Sequence, residues 1–325
     1  MHAREIRVAA EGPGDFARID EALAFARGLP PGPLVLRVAP GTYREKLRVT
    51  RPDLRIIGAG REATRIVFGD SALRRLPDGE AMGTFNSYTV YVGAPGASIA
   101  GLTIENDAGD GRIVGQAVAL YADADRLLFE DCAFLGRQDT ICTGPLPKDP
   151  PPKGINLVHP VAGLGDDEPA LPFRQVYRRC RVAGDVDFIF GSAAALYEDC
   201  ELRSLPRGED DGFIAAPSTY PGQAAGFVFD RCRLTFPGDR PARGRAFLGR
   251  PWRPRGRAVY LRCEMGAGLE PAGWDDWGKP EARELGLLGE LGSTGPGARP
   301  GERVPWAGRP SEAEVEAMIR VIAPR

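Results

Sequence analysis

The chain has 325 residues, with 42 Lys and Arg set against 44 Asp and Glu, for a formal net charge of −2. That balance leaves no broad basic surface and argues against nucleic acid as a partner. Two histidines, six cysteines and no Cys-x-x-Cys pair give no metal-site pattern, so neither a metal nor another cofactor is expected.

The opening stretch, Met1 to Arg7, has no apolar h-region and no cleavage site. The sequence as written therefore reads as cytoplasmic, or as secreted if a leader has been removed. No run of about 18 apolar residues occurs, so no membrane span and no membrane partner is expected. Phe16 to Arg27 has apolar residues near helical spacing, with Asp15 placed to cap them, and predicts an amphipathic helix over the open end of the fold. Short β-type runs follow at 34–38, 54–57, 65–68, 89–92 and 102–104, punctuated by Gly, Pro and Asp. No long helical pattern lies between them, which argues against a doubly wound α/β sheet.

A unit of the form aromatic-x-x-Cys-x-apolar then recurs. It reads Phe129 to Phe134, Tyr177 to Val182, Tyr197 to Leu202, Phe229 to Leu234 and Tyr260 to Met265. Repeats at such spacings signal a solenoid in which each coil buries its apolar face on the next. The Cys and the apolar residue two places on share one strand face, so the five cysteines should form a buried column of thiols. Asp139 lies seven residues after Cys132, and Asp187 seven after Cys180. Equal phase stacks the two carboxylates on neighbouring coils, roughly 4.8 Å apart at the backbone. Two such groups resist double ionisation, giving an acid and a nucleophile, or an acid and a base.

Between them, the Pro- and Gly-rich stretch 143–175 breaks the rhythm and is expected to loop out beside the pair, as surface decoration or as a wall closing one end of a groove. The wall reading favours short substrates. From 266 to 310 the chain is irregular and glycine-rich. Ser311 to Ile322 predicts a last helix, with Ser311 and Glu314 as a capping box and Val315, Met318, Ile319 and Ile322 on one face. The whole of 1–325 is expected to be one domain.

Four segments resemble the signature blocks of the pectin methylesterase (pectinesterase) family: Gly115 to Leu120, Gln138-Asp139-Thr140, Asp187 to Gly191 and Leu248 to Trp252. Gly41 to Glu45, Gly273 to Trp277 and Gly295 to Ala298 extend the similarity over most of the chain. The resemblance implies an all-β, right-handed parallel β-helix that hydrolyses methyl esters of polygalacturonate. It implies Asp187 as nucleophile and Asp139 as the acid that protonates departing methanol and then activates water. A guanidinium can hold a carboxylate through two hydrogen bonds, which suits Arg250 to grip Asp187. Gln116 and Gln138 can stabilise an oxyanion through amide N–H groups. Trp252 is expected to stack on a sugar ring, with Phe190, Trp274 and Trp277 as further substrate contacts. The aromatic residue usual in the family three places after the acid is here Cys142.

The expected partner is methylated polygalacturonate or an oligogalacturonate, bound by a monomer. An esterase or thioesterase acting on another acyl group with the same residues is one alternative; a non-catalytic sugar-binding solenoid is another. A serine triad does not fit, since there is no Gly-x-Ser-x-Gly elbow and His159, the only histidine beyond the second residue, falls in the proline-rich insert.

Overall fold

The computed structural model describes residues 3–146, 173–237 and 245–323. The suggested wall within 143–175 falls mostly on residues 147–172, outside that set. Among the described residues the strands form three all-parallel sheets of ten, eight and seven strands. One coil runs from Leu127–Glu130 in the first sheet to Ala133–Leu135 in the second and Ile141–Thr143 in the third. The next coil repeats the path through Arg174–Arg178, Arg181–Gly184 and Ile189–Gly191. Register is kept throughout: Phe129 pairs Tyr177, Phe134 pairs Val182 and Ile141 pairs Ile189. The chain is thus a right-handed parallel β-helix.

The recurring unit of the sequence marks the corner between the first and second sheets. Its aromatic residues stack one per coil: Phe129 on Tyr177 at 4.8 Å, Tyr177 on Tyr197 at 4.4 Å, Tyr197 on Phe229 at 4.9 Å and Phe229 on Tyr260 at 4.4 Å. Beside them Cys132, Cys180, Cys200, Cys232 and Cys263 line up as buried free thiols. Each thiol donates weakly to a carbonyl one coil away, as Cys200 does to Tyr177 O at 3.3 Å and Cys263 to Phe229 O at 3.2 Å. A thiol fits here because the column is apolar and leaves room for a small side chain only.

The residue before each of these cysteines turns the corner with positive φ: Asp131 (52°), Arg179 (52°), Asp199 (53°), Arg231 (51°) and Arg262 (52°). The first four alternate in sign, and the arginines pair with the aspartates below them, Arg179 with Asp131 at 2.8 Å and Arg231 with Asp199 at 2.9 Å. Exposed pairs contribute little each, so the buried column carries most of the stability at this corner.

The N-terminal helix is shorter than the sequence predicts. It spans Ile19–Arg27, with Ile19, Ala22, Leu23 and Ala26 buried against the first coils. Phe16 instead continues a parallel bridge with Val8, and the cap is not Asp15. The buried Glu45 carboxylate accepts the Ile19 and Asp20 N–H groups at 3.0 and 2.9 Å, so the helix is capped from the first coil it covers. The last helix, Glu312–Ile322, has its capping box in place. It folds back over the outside of the first sheet, burying Val315, Met318 and Ile322 on Ala194, Leu196, Val228 and Val259.

Candidate active site

The third sheet turns one residue per coil outward in a row: Tyr91, Tyr121, Cys142, Phe190 and Ala216, each in register with the next. Asp139 and Asp187 stand two residues before the paired Ile141 and Ile189, where the chain enters this sheet. Both have positive φ, 67° and 48°. Aspartate tolerates that region better than most residues. The same bend on successive coils sets both side chains at the edge of one groove. The Asp139 N–H donates to Val186 O at 3.0 Å, locking the two turns together.

Arg250 follows the strand Ala246–Gly249, two coils beyond Asp187 in the same sheet. Its guanidinium grips Asp187 in a fork, Nε to Oδ1 at 2.9 Å and Nη2 to Oδ2 at 2.7 Å. Its plane lies between two rings, with Cζ 3.9 Å from the Phe213 centroid and 3.8 Å from that of Trp277. Asp139 and Asp187 are 8% and 6% exposed, and burial raises both pKa values. For Asp139 the neighbouring Asp187 charge raises it further, while the Arg250 hydrogen bonds oppose the rise at Asp187. The balance of these effects favours the proton on Asp139 over Asp187.

Gln116 and Gln138 lie on neighbouring coils, tied by the Ala117 N–H to Gln138 O bond at 3.1 Å. Both are half-buried. A short helix, Gly111–Val114, presses on Gln138: a Cβ at Gly111 would stand 2.8 Å from Gln138 Cβ, so only glycine lets it approach.

The aromatic residues separate into three groups. Phe190 is buried beneath Trp252, with ring centroids 5.7 Å apart, and Trp252 stacks on Phe85 at 6.3 Å while staying half-buried. Trp277 has Arg250 against its ring and so holds the clamp. Trp274 corrects the sequence expectation: it is 1% exposed, packs on Tyr260 at 5.8 Å in the core and has no face for a substrate.

Other residues at the site go unsignalled by the motifs. Phe85 and Phe213 are reached only through packing. Asp185 has side-chain exposure of 1%, and its carboxylate faces Arg207 at 3.3 Å and Arg137 at 3.9 Å. A second acidic residue in the apolar run Asp185 to Phe190 was its signal. Lys279 stands with its Nζ 4.0 Å from the Trp277 ring. Among the described residues, no cluster of three His, Cys, Asp or Glu could hold a metal ion, and no helix is long and apolar enough to cross a membrane.

A parallel β-helix with paired carboxylates, one clamped by arginine, at the edge of an aromatic groove defines the structural class. The Pectinesterase family model matches residues 5–144 and 161–321. The chain is 33% identical to probable pectinesterase/pectinesterase inhibitor 17 of Arabidopsis thaliana over 305 residues, 93% of this chain and 52% of that protein. It spans about half the length of the curated relatives of this kind that it matches. Pectin methylesterase from carrot superposes with a TM-score of 0.79 at 30% identity, covering 98% of this chain and 92% of the other. A pectin methylesterase in complex with a hexasaccharide superposes with a TM-score of 0.79 at 26% identity, covering 100% and 98%. The chain belongs to the pectinesterase family.

Proposed function

We propose that this protein hydrolyses methyl esters of galacturonate units in pectin or its oligomers, releasing methanol and leaving a carboxylate. The observation that carries the reading is the forked Arg250–Asp187 pair set one coil from a more strongly protonated Asp139. The ionised Asp187 attacks the ester carbonyl while Arg250 holds its geometry. Negative charge gathers on the carbonyl oxygen, where the amide N–H groups of Gln116 and Gln138 stabilise it. Asp139 gives its proton to the departing methanol oxygen, leaving the galacturonyl group joined to Asp187. The Asp139 carboxylate then takes a proton from water, whose oxygen attacks the acyl carbon. Asp187 leaves as a carboxylate and Asp139 is protonated again.

Trp252, above Phe190, offers a flat apolar face for a sugar ring. The hexasaccharide in the related complex supports an extended carbohydrate ligand. We take residues 1–325 as one catalytic domain acting as a monomer, and such a polymer substrate goes with the secreted alternative for its location. The test is methanol release from methylated pectin and from defined methylated oligogalacturonates. One methanol per new carboxylate supports the reading; no release from either substrate overturns it.

A further inference from the structure

A third buried carboxylate stands beside the catalytic pair, and the proposed mechanism does not use it. Asp185 lies two residues before Asp187, on the bend that follows the strand Arg181–Gly184. Its side chain is 1% exposed. The backbone stitches this bend to the turn that carries the acid. The Asp185 N–H donates to Arg137 O and the Asp139 N–H to Val186 O, both at 3.0 Å. Gln138 and Asp139 therefore lie against the Asp185 bend, one coil away. On its other side, Asp185 O accepts the N–H of Phe213 at 3.0 Å, the residue whose ring backs Arg250. Gly184 permits this closeness, since a Cβ there would stand 2.6 Å from Arg137 O.

A buried carboxylate is costly unless it is paired. Asp185 Oδ1 accepts the Val186 N–H at 2.8 Å and an Arg207 Nη1 donor at 3.3 Å, while Arg137 Nε approaches Oδ2 at 3.9 Å. The Arg207 side chain is mostly buried as well, and its other acidic neighbour, Asp210 at 3.9 Å, is exposed. Arg207 reaches in beside the amide of Gln138. The place a Cβ would take at Gly111 lies 3.1 Å from Gln138 Oε1 and 3.2 Å from Arg207 Nη1. Arg112, close by, is committed to a fork on Asp110. Burial raises the Asp139 pKa; the Asp187 and Asp185 charges add to the rise, and Arg250 and Arg207 oppose it. Burial raises the Asp185 pKa too, against the pull of Arg207, Arg137 and the Val186 N–H.

We propose that Asp185 is a positioning residue that acts through Asp139: its buried charge, moderated by Arg207, keeps the proton for the departing methanol on the acid of the neighbouring coil. The inference rests on the esterase reading above and adds a residue to it. The sign follows from the charges. An anion beside Asp139 favours its neutral form, so removing that anion lets Asp139 lose its proton at lower pH. The same change leaves the Arg207 cation unpaired, which acts in the same direction. Removing both charges together cancels most of the effect.

The experiment is the pH profile of kcat/KM for methanol release from a fully methylated oligogalacturonate, whose own carboxyls do not titrate. The acid limb reports the nucleophile and the basic limb the proton donor, as apparent values of the pair. In Asp185→Asn, which keeps an oxygen for the Val186 N–H, the basic limb should move toward acid by about one pH unit, the low end for a nearby charge. In the double variant Asp185→Asn, Arg207→Met, the limb should return most of the way. Asp185→Ser makes the same charge change and takes the place of the Asn variant if circular dichroism shows that one unfolded. A basic limb left in place, whatever the loss of rate, or one moved toward alkali would overturn the proposal. So would a double variant displaced as far as the single one. In each of these cases the esterase reading stands. No methanol from the wild type at any pH would overturn that reading, and this inference with it.

Discussion

Arg250 holds Asp187 by two parallel hydrogen bonds while its own plane is stacked between Phe213 and Trp277. The carboxylate is thereby fixed by a group that is itself immobilised. The stacking also keeps water from the flat faces of the guanidinium, which strengthens its hold in a buried setting.

Replacing Asp187 by Asn nearly keeps its shape and removes the attacking anion. Methanol release should fall by several orders of magnitude, with the fold intact by circular dichroism. Wild-type turnover by this variant would refute the assignment of Asp187 as nucleophile.

Lysine at position 250 keeps a charge but loses both the fork and the stack. Arg250→Lys should lower kcat by roughly 10²-fold or more, on the scale of losing one oriented electrostatic contact. Gln116→Ala should cost roughly 10²–10³-fold if its amide serves the oxyanion. Steady-state kinetics on one methylated oligomer ranks all three variants; an effect confined to KM would move Gln116 from catalysis to binding.

Asp139 makes a prediction about stability as well as rate. Its folded-state pKa is raised by burial and by Asp187, so the native protein binds this proton more tightly than the unfolded chain. Stability from that proton is complete below the unfolded value of about 3.9 and is lost as pH rises through the folded value. Asp139→Asn mimics the protonated form and cannot ionise. The variant should lose activity yet melt above the wild type at neutral pH, and the gap should close toward acid. Thermal melts across a pH series measure this; a gap that widens toward acid would contradict the assignment. In the wild type, kcat should follow a bell-shaped pH profile whose two apparent pKa values belong to the pair.

The cysteine column predicts chemical silence. All six thiols are buried, and burial makes the Cys132 and Cys142 thiols harder to ionise. A thiol reagent should react slowly with native protein and with all six thiols after denaturation. Prompt native reaction of the five column thiols would show that the column opens readily.

Much of this architecture was legible because a solenoid repeats its environment. Phe129, Cys132 and Phe134 meet the same neighbours as Tyr177, Cys180 and Val182, so one periodic phrase reports several corners at once. The equal offsets of Asp139 and Asp187 carried the same information to the site. The helix start is not legible locally because Glu45, more than 20 residues further on, supplies the cap that the position of Asp15 suggests. Trp274 and Trp277 stand three residues apart in an irregular segment, where no period tells an inward side chain from an outward one. Phe213 and Lys279 join the site only through packing around Arg250, and no local pattern announces them.

The strand Ala246–Gly249 is the outermost member of the third sheet, and beyond it the chain is joined by isolated bridges, Ala246 to Leu269 and Gly249 to Trp274, rather than by a further strand. In a stack whose members touch only their neighbours, the ends fray first. Arg250 hangs from that last strand, so the catalytic clamp depends on one of the more easily opened parts of the molecule. On gentle heating, turnover should fade while most of the β-signal persists. Activity, if methanol is released as proposed, would then report local melting, and strengthening the seam between Gly249 and Trp274 should extend the working temperature without touching any reacting group.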